Sequence, residues 1–319
     1  MTIKKVLIVQ YSQSGQLTDV VTSVTAPLLA SNNIELQTLT LKPINPYPFP
    51  WPILSFFNIF PECVYLDPPE LQAFNINKDE KFDLIILSYQ VWFLAPSLPI
   101  TAFLQSTEGK QLLKDTPVIT LIACRNMWIM AQQAVQQMLD NAGAQLLDNI
   151  VLVDQGSILA SFITTPRWLL TGKKNAFWGF PEAGISKTDI AAAERFGDAI
   201  CDALSADKEK QHQPLLSGLG AVSVDVSLLQ SEKAGYRSFR IWGKLLRLIG
   251  KPGNIIRKIV LIFYIIFLVA LIITVVPVTM LLNKILQPVL KKKIQKLKTY
   301  YELPSGSDIN RIKKPSCQK

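Results

Sequence analysis

KVLIVQYSQSGQLT, residues 5–18, is the stretch on which the fold turns. Residues 5–11 are a short β-rich run. The turn Ser12-Gln-Ser-Gly-Gln16 follows at once, and a helical stretch then runs to residue 29. Outward from this unit, residues 34–41 read as a second strand. FDLIILSY (82–89) is a third, the nearly continuous apolar run expected of a strand buried on both faces of a parallel sheet. Residues 117–123 and 149–153 are two more. Helical stretches fall at 99–105 and 127–142. A last one opens after Ser186, with Asp189 three residues on as a capping-box-like pair, and continues to 204. Strands alternating with helices predict an α/β, doubly wound, five-stranded parallel sheet over residues 1–206.

Two insertions interrupt the alternation. Residues 43–69 hold eight prolines with Tyr47, Phe49, Trp51, Phe56, Phe57, Phe60 and Tyr65. Proline removes backbone donors and fixes φ, so regular structure is not expected there. Two readings stand side by side: a loop packed on the core, or an aromatic wall over a pocket for an apolar substrate, with Trp51 and Phe57 in contact with it. The second insertion, 155–185, carries Arg167, Trp168, Lys173, Lys174 and Trp178.

Beyond the α/β region, 207–235 reads as linker and 236–258 as a basic amphipathic helix. In it Phe239, Trp242, Leu246 and Ile249 oppose Arg240, Lys244, Arg247 and Lys251. Residues 259–282 are 24 residues without a charge, long enough to cross a hydrocarbon core of about 30 Å. A basic tail, 283–319, ends the chain. A single pass would carry the basic cluster at 283–298 across the membrane, against the positive-inside tendency. Thr274 and Pro277 offer the alternative of a re-entrant or monotopic hairpin.

The formal charge of +9 divides sharply. From Lys233 onward, 18 Lys and Arg face two acids, whereas the preceding part carries 15 basic and 22 acidic residues. The basic excess surrounds an apolar segment, which points to membrane lipid as a partner and not to nucleic acid. Cys63, Cys124, Cys201 and Cys317 are scattered, with no Cys-x-x-Cys and no neighbouring histidine, so neither a metal site nor a disulfide framework is expected. No signal peptide is legible, and the expectation is a membrane-associated protein with its catalytic domain in the cytoplasm. The single histidine, His212, lies in the charged stretch KEKQHQ, which excludes Ser-His-Asp and Cys-His nucleophile systems.

Chemistry concentrates in three loops that leave adjacent strands at the carboxyl end of the sheet, where such folds bind ligands. Ser12, Gln13, Ser14, Gly15, Gln16 and Leu17 sit between the first strand and first helix, where backbone N–H groups and hydroxyls can wrap a phosphate. SYQVWFLAPSLP (88–99) leaves the third strand with Tyr89, Gln90, Val91, Trp92 and Phe93. ACRNMW (123–128) leaves the fourth with Cys124, Arg125 and Asn126. The set fits a flat ring system with a phosphate tail. The competing readings make Trp92 and Trp128 core residues and Asn126 a helix cap.

The first loop resembles the flavodoxin phosphate loop, with Gln16 where Asn is usual and Leu17 where Thr is usual. Residues 88–99 with Phe103-Leu104 look like the ring-binding segment of flavodoxin-like quinone reductases, and the resemblance covers roughly residues 4–205. More narrowly, PYPFPWP (46–52), FPECVYLDPP (60–69), YQVWFLAPSLP (89–99), ACRNMW (123–128) and TTPRWLLTG (164–172) resemble a bacterial flavodoxin-like family named dialkylresorcinol condensing enzymes. The resemblance implies FMN as cofactor. Because thiolase-type condensation needs a histidine the chain does not place, it implies a redox step: aromatisation of a cyclohexanedione intermediate, with a ketosynthase partner performing the condensation. Tyr89, Cys124 and Arg125 are then candidates for acid–base or enolate-stabilising work, and Arg167 for holding a substrate carboxylate. The alternatives are a membrane-tethered electron carrier and a flavin-free membrane scaffold.

Overall fold

The computed structural model describes residues 3–312, apart from the side chains at 276, 277 and 279–290; Pro277, Cys317 and the end of the basic tail therefore lie wholly or partly outside the described residues. In chain order the α/β unit comprises β1 (Lys4–Gln10), α1 (Gln16–Ala30), β2 (Ile34–Thr40), α2 (Ile53–Asn58), α3 (Phe60–Val64), β3 (Leu84–Trp92), β4 (Ala95–Pro96), α4 (Leu98–Gln105) and α5 (Thr107–Leu113). It continues with β5 (Pro117–Cys124), α6 (Ile129–Asn141), β6 (Gln145–Val153), α7 (Ile158–Thr171), α8 (Lys187–Ala192) and α9 (Glu194–Ser205). Two long helices follow, α10 (Val226–Ile249) and α11 (Ile255–Glu302).

The strands pair in the order β2-β1-β3-β5-β6, all parallel. The chain reverses its winding direction between β1 and β3, which makes their carboxyl ends the switch point where such sheets bind ligands. The sheet has six strands and not the expected five. The extra one, β4, is a two-residue antiparallel return on the tip of β3. Val6–Val9 and Leu84–Leu87 are fully buried, as the continuous apolar runs require. Helices α1 and α9 cross closely on one face. A Cβ at Gly197 would lie 2.1 Å from the Val24 carbonyl oxygen, so only glycine permits that approach.

The insertion at 43–69 does form regular structure, because its prolines sit where helices accept them: Pro52 is the N-cap of α2 and Pro61 stands in the first turn of α3. The boundary drawn at residue 206 is also corrected. Leu215, Leu216, Leu219, Ala221 and Val222 are buried and run beside β6, whose Val151 N–H donates to the Ala221 carbonyl at 2.9 Å. The fully buried Asp148 of β6 accepts from Leu215 N–H (2.6 Å) and from the Ser305 hydroxyl (2.8 Å). At the amino end of β1, Lys4 pairs with Asp207 and the buried Glu209. The supposed linker is part of the core, and helix begins at Val226.

The amphipathic helix expected over 236–258 has other bounds, since α10 ends at Ile249 and residues 250–254 break the chain before α11, and its apolar face meets protein. Phe239 and Leu246 are buried against Phe60 and Val64 of α3, and Gly243 brings the helix within contact of Tyr65. Helix α11 runs unbroken through Thr274 and Pro277, without a hairpin. Its Ile255–Val275 portion is the one helix among the described residues long and apolar enough to cross a membrane.

These contacts make the domain boundary testable. A chain ending at Ala206 is expected to lose near-ultraviolet circular dichroism and to bind an apolar dye, because it strips the outer flank of β6 and leaves Asp148 buried without its partners. A sharp, cooperative melt from that fragment would show that the 215–229 segment is dispensable.

Candidate functional site

The carboxyl ends of β1, β3 and β5 open into a cavity of about 900 Å³. At its polar end lies the loop between β1 and α1. Gly15 takes a left-handed φ of 86° as the N-cap of α1, and no side chain caps that helix. The first N–H groups of α1 are thus left for an external anion. Ser12 Oγ, in the same loop, is buried and has no hydrogen-bond partner among the described residues. Leu17 contributes its backbone only, since its side chain is fully buried.

The remaining loop residues are already engaged. Gln16 does not offer its amide to the cavity: Nε2 donates to the Ile185 carbonyl (3.1 Å) and Oε1 accepts from Ile185 N–H (3.0 Å). Gln13 Nε2 donates to the Pro48 carbonyl at 2.6 Å, fastening the phosphate-type loop to the insertion. Gln13 N–H in turn donates to Gln90 Oε1 at 3.1 Å, which couples the first two loops. Ser14, Gln90, Val91, Trp92 and Phe93 all line the cavity.

The third loop supplies the free polar groups. Asn126 Oδ1 is buried without a partner among the described residues. Arg125 lines the cavity and lies 4.1 Å above the Phe162 ring, and its guanidinium makes no hydrogen bond among the described residues. Burial lowers it to about 10, so it remains a cation at neutral pH. Cys124 also lines the cavity, but burial pushes its thiol well up, so it is held protonated and is no thiolate nucleophile.

Three sequence candidates lie elsewhere. Tyr89 is fully buried and its hydroxyl donates to Gln132 Oε1 at 2.6 Å within the core, away from the cavity lining. Arg167 spends its donors on the Lys173 and Asn175 carbonyls (3.0 and 2.8 Å), so it folds the 173–180 turn and does not reach the cavity. Trp51 is 2 % exposed and packs behind the wall, 5.9 Å from Trp92. Phe57 does line the cavity, together with Phe49 and Phe56.

Two carboxylates carry no sequence motif and yet organise the site. Asp154, just past β6, accepts from Gly184 N–H (2.6 Å), Gly156 N–H (2.7 Å) and the Thr165 hydroxyl (3.3 Å), anchoring the second insertion at the cavity edge. Glu232 of α10 is buried and accepts from Met130 N–H (2.7 Å) at the start of α6. Through it α10 caps the helix that follows the Cys124–Asn126 loop. The β3–β4 hairpin adds strain: Phe93 and Leu94 form its two-residue turn at φ 50° and 63°, values favoured by glycine or asparagine and not by bulky residues.

No protein-family model matches the chain, and no curated protein does. Solved structures with a similar course of chain include a flavoprotein in complex with FMN from Lactobacillus acidophilus NCFM. It is 20% identical with a TM-score of 0.38, covering 46% of this chain and 93% of that one. A flavodoxin from the domain Archaea is 13% identical, with a TM-score of 0.36 and coverage of 65% and 99%. A flavone reductase is 14% identical, with a TM-score of 0.35 and coverage of 66% of each chain.

The clamp by Glu232 has a pH signature. Burial raises its carboxyl from the usual 4.5 to about 7. The folded state therefore binds the proton more tightly than the unfolded chain. The stabilisation this provides is complete below about 4.5, declines as pH rises, and is lost above about 7. Glu232→Gln keeps an acceptor for Met130 N–H and is expected to remove up to roughly 3 kcal/mol of the wild-type decline in stability between pH 4.5 and 7.5. Urea titrations of both proteins across that range check it. Identical pH slopes would show that Glu232 does not titrate there. Asp148, raised by burial to about 6, contributes to both proteins alike.

Proposed function

We propose that the protein is an FMN-dependent oxidoreductase acting on a hydrophobic ring, associated with a membrane through α11, and that its reaction is the aromatisation of a cyclohexanedione to a dialkylresorcinol-type lipid. The observation that carries this reading is the division of one cavity into two chemistries. At the polar end, Ser14, Asn126, the Arg125 guanidinium and the uncapped start of α1 border the cavity, and among the described residues Asn126 Oδ1 and, in the same loop as Ser14, the buried Ser12 Oγ have no hydrogen-bond partner. Buried polar atoms left unmatched cost roughly 1–3 kcal/mol each, so a constellation of them is the mark of a site completed by a ligand. At the other end, Phe49, Phe56, Phe57, Trp168 and Phe239 supply an apolar surface.

The donor set fits FMN. Ser12 Oγ and the first N–H groups of α1 would receive its phosphate, and Asn126 with the Trp92–Phe93 strand end would border its ring. Bound there, FMN supplies a two-electron acceptor for hydride from a ring carbon. Arg125, a cation in an apolar setting, is positioned to hold a ring oxygen as it gains negative charge. The Cys124 thiol, whose proton burial holds tightly, neither gives nor takes one in this step, and the proton lost from the neighbouring ring carbon passes to Asp154, a carboxylate that lines the cavity. The aromatic lining excludes water and accepts the alkyl chains of the substrate; an electron carrier that meets only protein partners has no use for such a volume. A ketosynthase would supply the cyclised precursor.

Removing a polar atom that has no protein partner separates binding from stability. Ser12→Ala is expected to weaken FMN binding, followed by flavin fluorescence on titration, while leaving the melting temperature unchanged or higher. Unaltered affinity would remove Ser12 from the cofactor site.

The wall is tested by a pair of variants. Phe57→Ala is expected to lower turnover of long-chain cyclohexanediones more than short-chain ones, with little change in melting temperature. Trp51→Ala, behind the wall, is expected to cost about 3–5 kcal/mol of stability. Equal loss of turnover for both chain lengths in Phe57→Ala would argue that the ring is packing alone.

A further inference from the structure

Helix α11 is fastened at both ends to the same folded unit. Near its start, Arg257 is 2 % exposed and donates to Glu62 (2.9 and 3.0 Å), to the Asn58 carbonyl (2.9 Å) and to the Gly250 carbonyl (3.0 Å). At its end, Glu302 is buried and accepts from Val224 N–H, and the Ser305 hydroxyl accepts from Asn149 N–H at 2.7 Å. Just beyond, Gly220 N–H donates to the Asp308 carbonyl (2.7 Å), and Arg311 donates to the Leu215 and Ser217 carbonyls (2.8 and 3.0 Å). A single membrane pass would place these two sets of contacts on opposite sides of a hydrocarbon layer about 30 Å thick. One α/β unit makes both.

The exposed face of α11 has no protein partner among the described residues. Ile259, Ile262, Phe263, Ile266 and Ile273 lie along it, 41–67% exposed. The other face meets protein: Leu261 and Tyr264 are buried on Phe60 and Phe239, and Leu268, Leu271 and Ile272 form a wall of the cavity. Ile241, Leu245 and Leu248 extend the exposed apolar surface onto α10. On α7, Leu159 and Ile163 stand exposed beside Phe162, which lines the same cavity. Exposed lysines flank the surface at both ends, Lys244, Lys251 and Lys258 before it and Lys291, Lys292 and Lys293 after it. No acidic residue occurs from 233 to 301.

We propose that α11 lies within one leaflet of an anionic bilayer, both of its ends on the same side, so that the cavity it walls opens toward lipid. The apolar stripe supplies the insertion, and the flanking lysines supply the attraction to anionic headgroups. The proposal rests on the membrane association inferred above and names its geometry. It implies that a dialkyl ring substrate passes between bilayer and cavity beside α11 without crossing water.

The test uses the full-length protein with Lys251→Cys, Ile266→Cys or Asp308→Cys. Flotation with phosphatidylcholine vesicles, with and without phosphatidylglycerol, measures association. Labelling by a membrane-impermeant maleimide in sealed, everted vesicles from expressing cells measures geometry, with each labelled peptide located by mass so that the native cysteines are distinguished. The expected result is flotation strengthened by phosphatidylglycerol and weakened by salt. K251C and D308C are both expected to label without detergent, whereas I266C is protected until the lipid is dissolved. Protection of either end residue would mean that the chain has crossed, overturning the one-leaflet geometry while leaving membrane association intact. Ready labelling of I266C would place the helix outside lipid and overturn the proposal. Failure to float would overturn it together with the membrane association, leaving the cofactor site untouched.

Discussion

Phe60 is the contact on which the architecture of the cavity depends. Fully buried, its ring lies 5.8 Å from Phe93, 5.5 Å from Phe239 and 4.9 Å from Tyr264. One side chain thus joins α3, the β3–β4 turn, α10 and α11. The sheet folds around its own apolar runs and needs none of this. The cavity does, because apolar walls from segments far apart in sequence meet in this cluster. Truncating such a ring typically costs about 3–5 kcal/mol, and here the loss would fall on the junction of all four walls.

The same cluster explains how an unfavourable turn persists. Phe93 and Leu94 adopt left-handed conformations that cost of order 1–3 kcal/mol each for bulky residues. Asn-Gly would be relaxed at these positions, but it would forfeit Phe93's stacking on Phe56 at 4.7 Å and Leu94's contact with α10. Met127, in the loop after β5, has a φ of 51° and also lines the cavity. Strain gathered at the rim of one cavity, and offset by packing behind it, leaves the loops preorganised for a ligand.

What was legible in the sequence follows from how local the signal is. Val6–Val9 announces a strand by its β-rich residues and Leu84–Leu87 a strand buried on both faces by continuous apolarity, and the turn from Ser12 to Gln16 announces a helix start by its residue types. The role of 215–224 was hidden, because its few leucines and valines follow a charged stretch and find their partner in β6, about 70 residues earlier. The apolar stripe of Phe239, Trp242, Leu246 and Ile249 is visible in the sequence. Periodicity shows that a face is apolar, however, and not whether protein or lipid covers it. Asp148, Asp154 and Glu232 were illegible for a related reason: a lone carboxylate acquires its role only from the N–H groups that the fold brings to it. Gln16, Tyr89 and Arg167 illustrate the converse. Each lies in or beside a segment singled out by its chemistry, but each has its polar atoms matched by neighbours.

The two ends of the cavity have different origins, and this orders the functional reading. The polar end is made by the sheet itself: the carboxyl ends of β1 and β5, the start of α1 and the switch point are consequences of strand order. Any chain of this topology has such a place for a phosphate-bearing ligand. The apolar end is made by additions to that plan: α2 and α3 from the first insertion, α7 from the second, and α10 and α11 from the C-terminal region. These additions are cross-braced to the polar end by Gln13 on the Pro48 carbonyl, Gln16 on Ile185, Asp154 on Gly184 and Glu232 on Met130. The polar end therefore belongs to the common plan of the fold, whereas the apolar end belongs to the added segments. The braces tie the Ser12–Gln16 loop to both insertions, Gln13 through the Pro48 carbonyl and Gln16 through Ile185.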